Sequence, residues 1–278
     1  MSIADKKALD HTLGNIHVLG IPFDENESLY RGPAQAPASI RETMREGSMN
    51  LWTESGIDLE AAAQWQDDGD IELTDGGDVF AQIEAGVAAV LERGERVLSL
   101  GGDHSITYPI LRAYGRYYPA LTILHLDAHP DLYEDFEGNH FSHACPFARI
   151  MEEQLAARLV QVGIRTLNQQ QRKQAERYGV EVIEMRQWSP QLQLALNGPL
   201  YVSLDLDVLD PAYAPGVSHH EPGGFTTREL ISILQGVKVP IVGADIVELN
   251  PKRDPQKITA IAGVKLLKEL LALMLTNW

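Results

Sequence analysis

The chain has 278 residues, 44% of them hydrophobic, which is enough for one large core, and α/β domains of this length occur as single units. Lys plus Arg number 23 against 39 Asp plus Glu, and the formal net charge of −16 repels nucleic-acid phosphates and anionic lipid while attracting metal ions or basic small molecules. The single Cys145 excludes an intrachain disulfide, residues 1–15 are too polar for a signal peptide, and no apolar run reaches spanning length, so the expectation is a cytoplasmic protein that binds neither membrane nor nucleic acid.

Short β-branched runs alternate with helical patterns along most of the chain. The first strand is expected at Ile16–Leu19, followed by a helix at Ala38–Glu46, started by Pro37. The acidic, weakly patterned stretch Gly47–Leu73 reads as an excursion. Next come a helix at Val79–Arg93, with Ile83, Val87, Val90 and Leu91 on one face, a strand at Val97–Leu100, a helix at Ile106–Tyr114 and a strand at Leu121–Leu126. A strand at Leu159–Val162, a helix at Asn168–Tyr178, and strands at Val180–Ile183 and Leu200–Leu206 follow. A capping box, Thr226 with Glu229, opens a helix at Thr227–Gln235. A strand at Ile241–Ile246 and a helix at Ile258–Leu275 complete the chain. Such alternation predicts one three-layer αβα domain over residues 1–278, a mostly parallel sheet with helices on both faces.

Ligands of open α/β sheets bind beyond the carboxyl ends of the strands, so those ends should hold the unusual residues. They do. Gly101-Gly102-Asp103-His104-Ser105 follows one strand, and Asp127-Ala128-His129-Pro130-Asp131 follows another. Asp205, Asp207 and Asp210 follow a third, while Asp245 and Glu248 lie at the end of the last. Taken singly, Asp103 or Ser105 suits a helix cap, Asp205 and Asp207 suit turns before Pro211, and His125 suits a packed strand histidine. The Asp127-x-His129-x-Asp131 spacing resists such a reading, because burying these groups together without a cation is unfavourable.

His104, Asp127, His129, Asp131, Asp205 and Asp207 contain too many carboxylates for a four-coordinate structural zinc site. A carboxylate-rich set with one imidazole per metal suits a harder ion such as Mn2+. Bridging carboxylates would hold two such ions roughly 3.5–4 Å apart, the two-metal hydrolytic arrangement. Phosphate-binding GxxxxGK[ST], dinucleotide-binding GxGxxG after a strand, and nucleophile-elbow GxSxG motifs are absent. Cys145, two residues from His143, reads as a small buried hydrophobe rather than a nucleophile.

Together GGDHS, LDAHPDLY, SLDLDVLDPAYAPG and DIVELNP resemble the ureohydrolases (arginases, agmatinases and their relatives), as does the early RGPAQAPASIRE (Arg31 to Glu42). The resemblance spans nearly the whole chain and implies an arginase-like fold with two Mn2+ per subunit. His104, Asp127, Asp131 and Asp205 would hold one ion, and Asp127, His129, Asp205 and Asp207 the other. It further implies that Asp131 directs the attacking hydroxide, that Glu248 pairs with the guanidinium, and that His143 is a mobile acid/base. The segment from Glu134 to Glu153 is most similar to plant-type arginases, whose matching Asn and Ser contact the substrate's α-carboxylate and amine. Asn139 and Ser142 are the candidates here. The implied reaction is hydrolysis of a cationic guanidino small molecule, L-arginine to L-ornithine and urea, with agmatine as the alternative substrate and a trimer or hexamer as the assembly. Ser218-His219-His220-Glu221 departs from the form common in other branches, near the substrate's distal end, which leaves His219 and His220 without assigned roles. A deacetylase-like metal hydrolase would give Glu248 and His129 no task, and a silent metal-binding scaffold would predict a degraded site, whereas every family ligand is present.

Overall fold

The computed structural model describes residues 14–47, 49–74 and 76–276. The polar residues 1–13, on which part of the compartment reading rests, lie outside that range. Eight parallel strands form one sheet in the order β2-β1-β3-β8-β7-β4-β5-β6: β1 (Ile16–Gly20), β2 (Trp65–Asp70), β3 (Arg96–Leu100), β4 (Thr122–Leu126), β5 (Arg158–Ile164), β6 (Glu181–Glu184), β7 (Leu200–Asp205) and β8 (Ile241–Val247).

Alternate strand residues enter different cores, as the pleat requires. Leu98, Leu124, Val202 and Ala244 pack with Ile40 of α1 (Ala36–Arg45), Leu230 of α6 (Thr227–Gly236) and Leu266 of α7 (Ile258–Thr276). On the other side Val97, Ile123 and Tyr201 meet Val87 of α2 (Val79–Leu91), Ile110 of α3 (Thr107–Tyr114), Phe147 of α4 (Pro146–Glu152) and Ala175 of α5 (Gln169–Tyr178). The three-layer expectation is met. Lys268 and Glu269 interrupt the apolar run of α7 because they tie down a loop: Lys268 Nζ donates to the Asn50 carbonyl, and Glu269 accepts from the Glu54 amide. Among the described residues no helix is long and apolar enough to cross a membrane.

Two elements escape the sequence reading. Strand β2 lies inside the stretch read as an excursion, because Trp-Gln-Asp-Asp-Gly-Asp at a sheet edge has no buried face to impose alternation. What fixes it is Arg41 of α1, buried, with Nε 2.8 Å from Asp67, an ion pair to Asp70 and a hydrogen bond to the Gly69 carbonyl. Helix α4 has seven residues, too short for a periodic signal, and starts at Pro146. Elsewhere the shifts are local: Asn168 caps α5 and the Thr226–Glu229 capping box forms.

Replacing Arg41 by Met is expected to lower unfolding free energy by about 1–2 kcal/mol in urea titration, since its carboxylate partners regain water. Amide exchange should accelerate selectively over Trp65–Asp70. Unchanged exchange there would remove the clamp role.

Candidate metal centre and active site

The four strand ends singled out by their sequence belong to adjacent strands, β3, β8, β7 and β4, at the centre of the sheet. After β3, Gly102 lets the chain pass beneath the backbone of Phe23, where a Cβ would lie 1.7 Å from the Phe23 oxygen. Asp103 then caps a short 3-10 turn through the Ser105 amide, which turns the His104 ring inward. Capping and chemistry thus occupy neighbouring residues of one motif.

His104 Nδ1 lies 3.2 Å from carboxylate oxygens of Asp127, Asp131 and Asp205 alike. It is buried, and none of these contacts has the geometry of a hydrogen bond. Adjacent ligands of a six-coordinate ion bound at about 2.1 Å lie roughly 3 Å apart, so the atoms are spaced as ligands rather than as a donor with acceptors. The tautomer agrees. Ser203 Oγ donates to Asp245 at 2.7 Å and therefore accepts from His104 Nε2–H at 3.0 Å, leaving the Nδ1 lone pair for a cation. Asp245 is itself held by Tyr201 and Thr107.

The second half of the cluster is contiguous. His129 Nδ1 is 2.8 Å from Asp207 and 3.4 Å from Asp127, whose other oxygen faces His104. Asp127 spans both imidazoles, as a bridging carboxylate must. Backbone amides fix the acids: His129 N to Asp127 at 2.5 Å, Asp207 N to Asp205 at 2.7 Å, and Ala128 N to Asp207 at 3.1 Å. Burial, then Asp207 and Asp127, push the Asp205 carboxyl well above its usual range. Burial alone would depress His104, but the three carboxylates lift it well above. Both directions describe a site that lacks positive charge. The residues fit a divalent metal.

His125 is not positioned as a ligand. Gln161 Nε2 donates to the Pro130 carbonyl at 2.6 Å and to His125 Nδ1 at 3.0 Å, so His125 Nε2–H faces Asp127 at 2.8 Å. It orients a ligand while stacking on Phe147, with ring centroids 3.9 Å apart. Cys145 is buried and its thiol is pushed up to about 12, chiefly by that burial, which suits a packing residue.

Above the cluster, Glu248 follows β8 with φ 66°, and Asp131 has φ 47°, both in the left-handed region where a side chain is strained. Glu248 Oε1 accepts from the His104 amide at 2.8 Å and lies 3.2 Å from His143 Nδ1. Its Oε2 is buried without a hydrogen-bond partner. Burial first, then Glu27 and Asp103, push this carboxyl well up. A cavity of about 240 Å3 runs from Asp131, Asp205, Asp207 and Glu248 past His143 to Tyr133, Thr166 and Gln171. Among the described residues no Lys or Arg lines it. A larger apolar groove, about 600 Å3, lies elsewhere, between Trp188–Leu196 and α6.

Asn139 and Ser142 do not line the cavity. Asn139 donates to Asn26 Oδ1 at 3.1 Å, and Ser142 Oγ accepts from the Ala144 amide at 3.3 Å; their loop reaches the cavity through Phe136 and Ala144. His219 and His220 separate, His219 entering the cavity wall while His220, exposed, bonds to the Pro215 carbonyl. Sequence reasoning missed Glu27, Ser28, Gln161, Thr166, Gln171 and Ser203. Only Thr166 carried a signal, since it follows the end of β5.

The family model described as the Arginase family matches residues 14–273. Arginase 1, mitochondrial, of Arabidopsis thaliana is 46% identical, over 92% of this chain and 80% of its own length. The agmatinase of Bacillus anthracis is 34% identical over 91% of this chain and 90% of its own. The solved structure of arginase from Medicago truncatula superposes with a TM-score of 0.89 at 44% identity, covering 96% of this chain and 89% of that one.

Removing the Ser203 hydroxyl (Ser203→Ala) should free the His104 tautomer and weaken manganese binding about 10–100-fold by equilibrium dialysis. Asp127→Asn should lose metal at both positions, read by elemental analysis. Retention of one full equivalent would contradict its bridging role.

Proposed function

This chain belongs to the arginase family, and on that premise we propose that it is a dinuclear manganese hydrolase converting L-arginine to L-ornithine and urea. The observation that carries the reading is Glu248, a buried carboxylate with one partnerless oxygen beside a six-residue His/Asp cluster. A guanidinium is the planar cation that such an acceptor fits. Relatives named arginase reach 43–46% identity against 34% for those named agmatinase, which favours arginine. The cavity's lack of Lys and Arg to read an α-carboxylate is what keeps agmatine as the second reading.

His104, Asp127, Asp131 and Asp205 would hold one ion, and Asp127, His129, Asp205 and Asp207 the other. Manganese, when bound, supplies Lewis-acid charge that makes water a nucleophile near neutral pH. The guanidino carbon is a poor electrophile because resonance spreads its charge, so orientation matters as much as nucleophile strength. Glu248 holds that carbon in place; its own direction is fixed by the His104 amide and by His143. Asp131, held in its strained conformation where the chain leaves β4, aims the attacking oxygen. Water's oxygen adds to the carbon, one C–N bond breaks, and the departing amine takes a proton. His143 would deliver it, a role supported by its position on the cavity wall with Nδ1 toward Glu248 and Nε2 2.9 Å from Ser28 Oγ.

At the far end of the cavity Thr166 and Gln171, the latter buried with a partnerless Oε1, face the amino-acid portion, while Asn139 and Ser142 shape the loop that closes over it. The cytoplasm is the compartment proposed; the single buried Cys145 fits any reducing compartment, and plant relatives are named mitochondrial or chloroplastic. A trimer or hexamer, the assembly the family resemblance implies, completes the proposal.

A urea-release assay with manganese should rank L-arginine above agmatine, guanidinobutyrate and guanidinopropionate. Glu248→Ala should abolish turnover of all four with metal content preserved. Full activity after stringent chelation would sink the two-metal reading.

A further inference from the structure

Beside the His/Asp cluster lies a second group of ligand-type side chains. Glu27 follows β1, and its side chain is completely buried. Its Oε1 is 2.9 Å from His219 Nε2 and 3.6 Å from His143 Nε2, and the three ligand atoms lie within 4.8 Å of one another. The Leu29 amide fixes Oε1 at 2.9 Å, and Oε2 is buried with no partner. Ligands bound at about 2.0–2.1 Å around a tetrahedral ion lie roughly 3.3 Å apart, a value that 2.9 and 3.6 Å bracket.

The His143 tautomer points the same way, while His219 Nε2–H donates to Glu27 and gives up that proton when an ion binds. His143 Nδ1 faces Glu248, which places its proton there and leaves the Nε2 lone pair toward Glu27 and the Ser28 hydroxyl. A carboxylate beyond a ligating imidazole is the usual orienting arrangement for zinc. The His143 and His219 rings lie 5.0 Å apart, tilted by 30°, and His219 is partly exposed, so an ion reaches the site through the cavity mouth. Two imidazoles and one carboxylate form a zinc-class set, unlike the carboxylate-rich cluster below.

We propose that Glu27, His143 and His219 form a third divalent-cation site, selective for zinc-class ions, whose filling stops the hydrolase by occupying His143. The site stands on its own geometry, and the inhibition rests on the ureohydrolase reading. The ion would also set positive charge beside Glu248, against the incoming guanidinium.

Manganese-loaded protein is titrated with zinc, following bound metals by equilibrium dialysis and elemental analysis, and urea release in parallel. One zinc should bind per chain with manganese retained, and urea release should fall with the same zinc dependence. His219→Ala and Glu27→Gln should each weaken that zinc by at least about tenfold and shift inhibition equally, relative to each variant's own zinc-free rate. Retained manganese in both variants reports that they are folded. Zinc that enters only by displacing manganese, or an added zinc indifferent to both substitutions, overturns the site. An added zinc lost in both variants supports the site even where no guanidino substrate is turned over, and that absence counts against the ureohydrolase reading alone.

Discussion

Three carboxylates held at 3.2 Å around one buried imidazole nitrogen would repel one another, and much of the molecule is arranged around that fact. Such a cluster either raises its pKa values or forces the chain open unless a cation is supplied. No Lys or Arg lines this cavity among the described residues. The acids are instead fixed by backbone amides, Asp127 by His129 N and Asp205 by Asp207 N, at the ends of parallel strands. A central parallel sheet gives those ends a common rigid edge. The chain's −16 charge draws both the ions and a cationic substrate toward it.

Around the ligands runs a shell that decides which nitrogen is free. Asp245 orders Ser203, Ser203 orders His104, and Gln161 with His125 orders Asp127. These partners lie within the strands, on β8, β7, β5 and β4, so the packing that builds the sheet also sets the imidazole tautomers. The geometry of the cluster and the fold are coupled here through hydrogen bonds rather than through any one side chain. The strained residues, Asp131 and Glu248, occur where regular strand gives way to the cavity. Their conformation is maintained by neighbours: the Asp131 carbonyl accepts from Phe147 N, and Glu248 N donates to the Gly102 carbonyl.

His143 stands between two carboxylates, with Glu248 on one ring nitrogen and Glu27 beyond the other. One edge faces Glu248 and the other opens toward Glu27 and His219. An imidazole so placed suits proton transfer and leaves its Nε2 lone pair open to capture by a zinc-class ion, and either event changes the ring's charge on both faces.

Six metal-ligand candidates, Glu248 and the three-layer architecture were legible in the sequence because each rests on a local pattern: β-branched runs, helical stripes, and acids or histidines placed just after strands. Helix α4 was too short to show a period, and β2 had no buried face to reveal one. The cavity wall was hidden for another reason. Ser28, Gln171 and His219 come from three distant segments, and only His219 stands out locally, within the departure at residues 218–221. Asn139 and Ser142, matched by loop similarity, do not line the cavity while their loop neighbours Phe136 and Ala144 do, because loop sequence fixes order along the chain and not the direction of each side chain. The sequence by itself singled out the six ligand candidates, since side-chain type and strand-end position are one-dimensional facts. Only the tertiary structure decided which nitrogen of each histidine is free, which acid spans both imidazoles, and that Glu27 and His219 meet at His143. Those depend on contacts between segments up to 192 residues apart, which are set by packing rather than by local pattern.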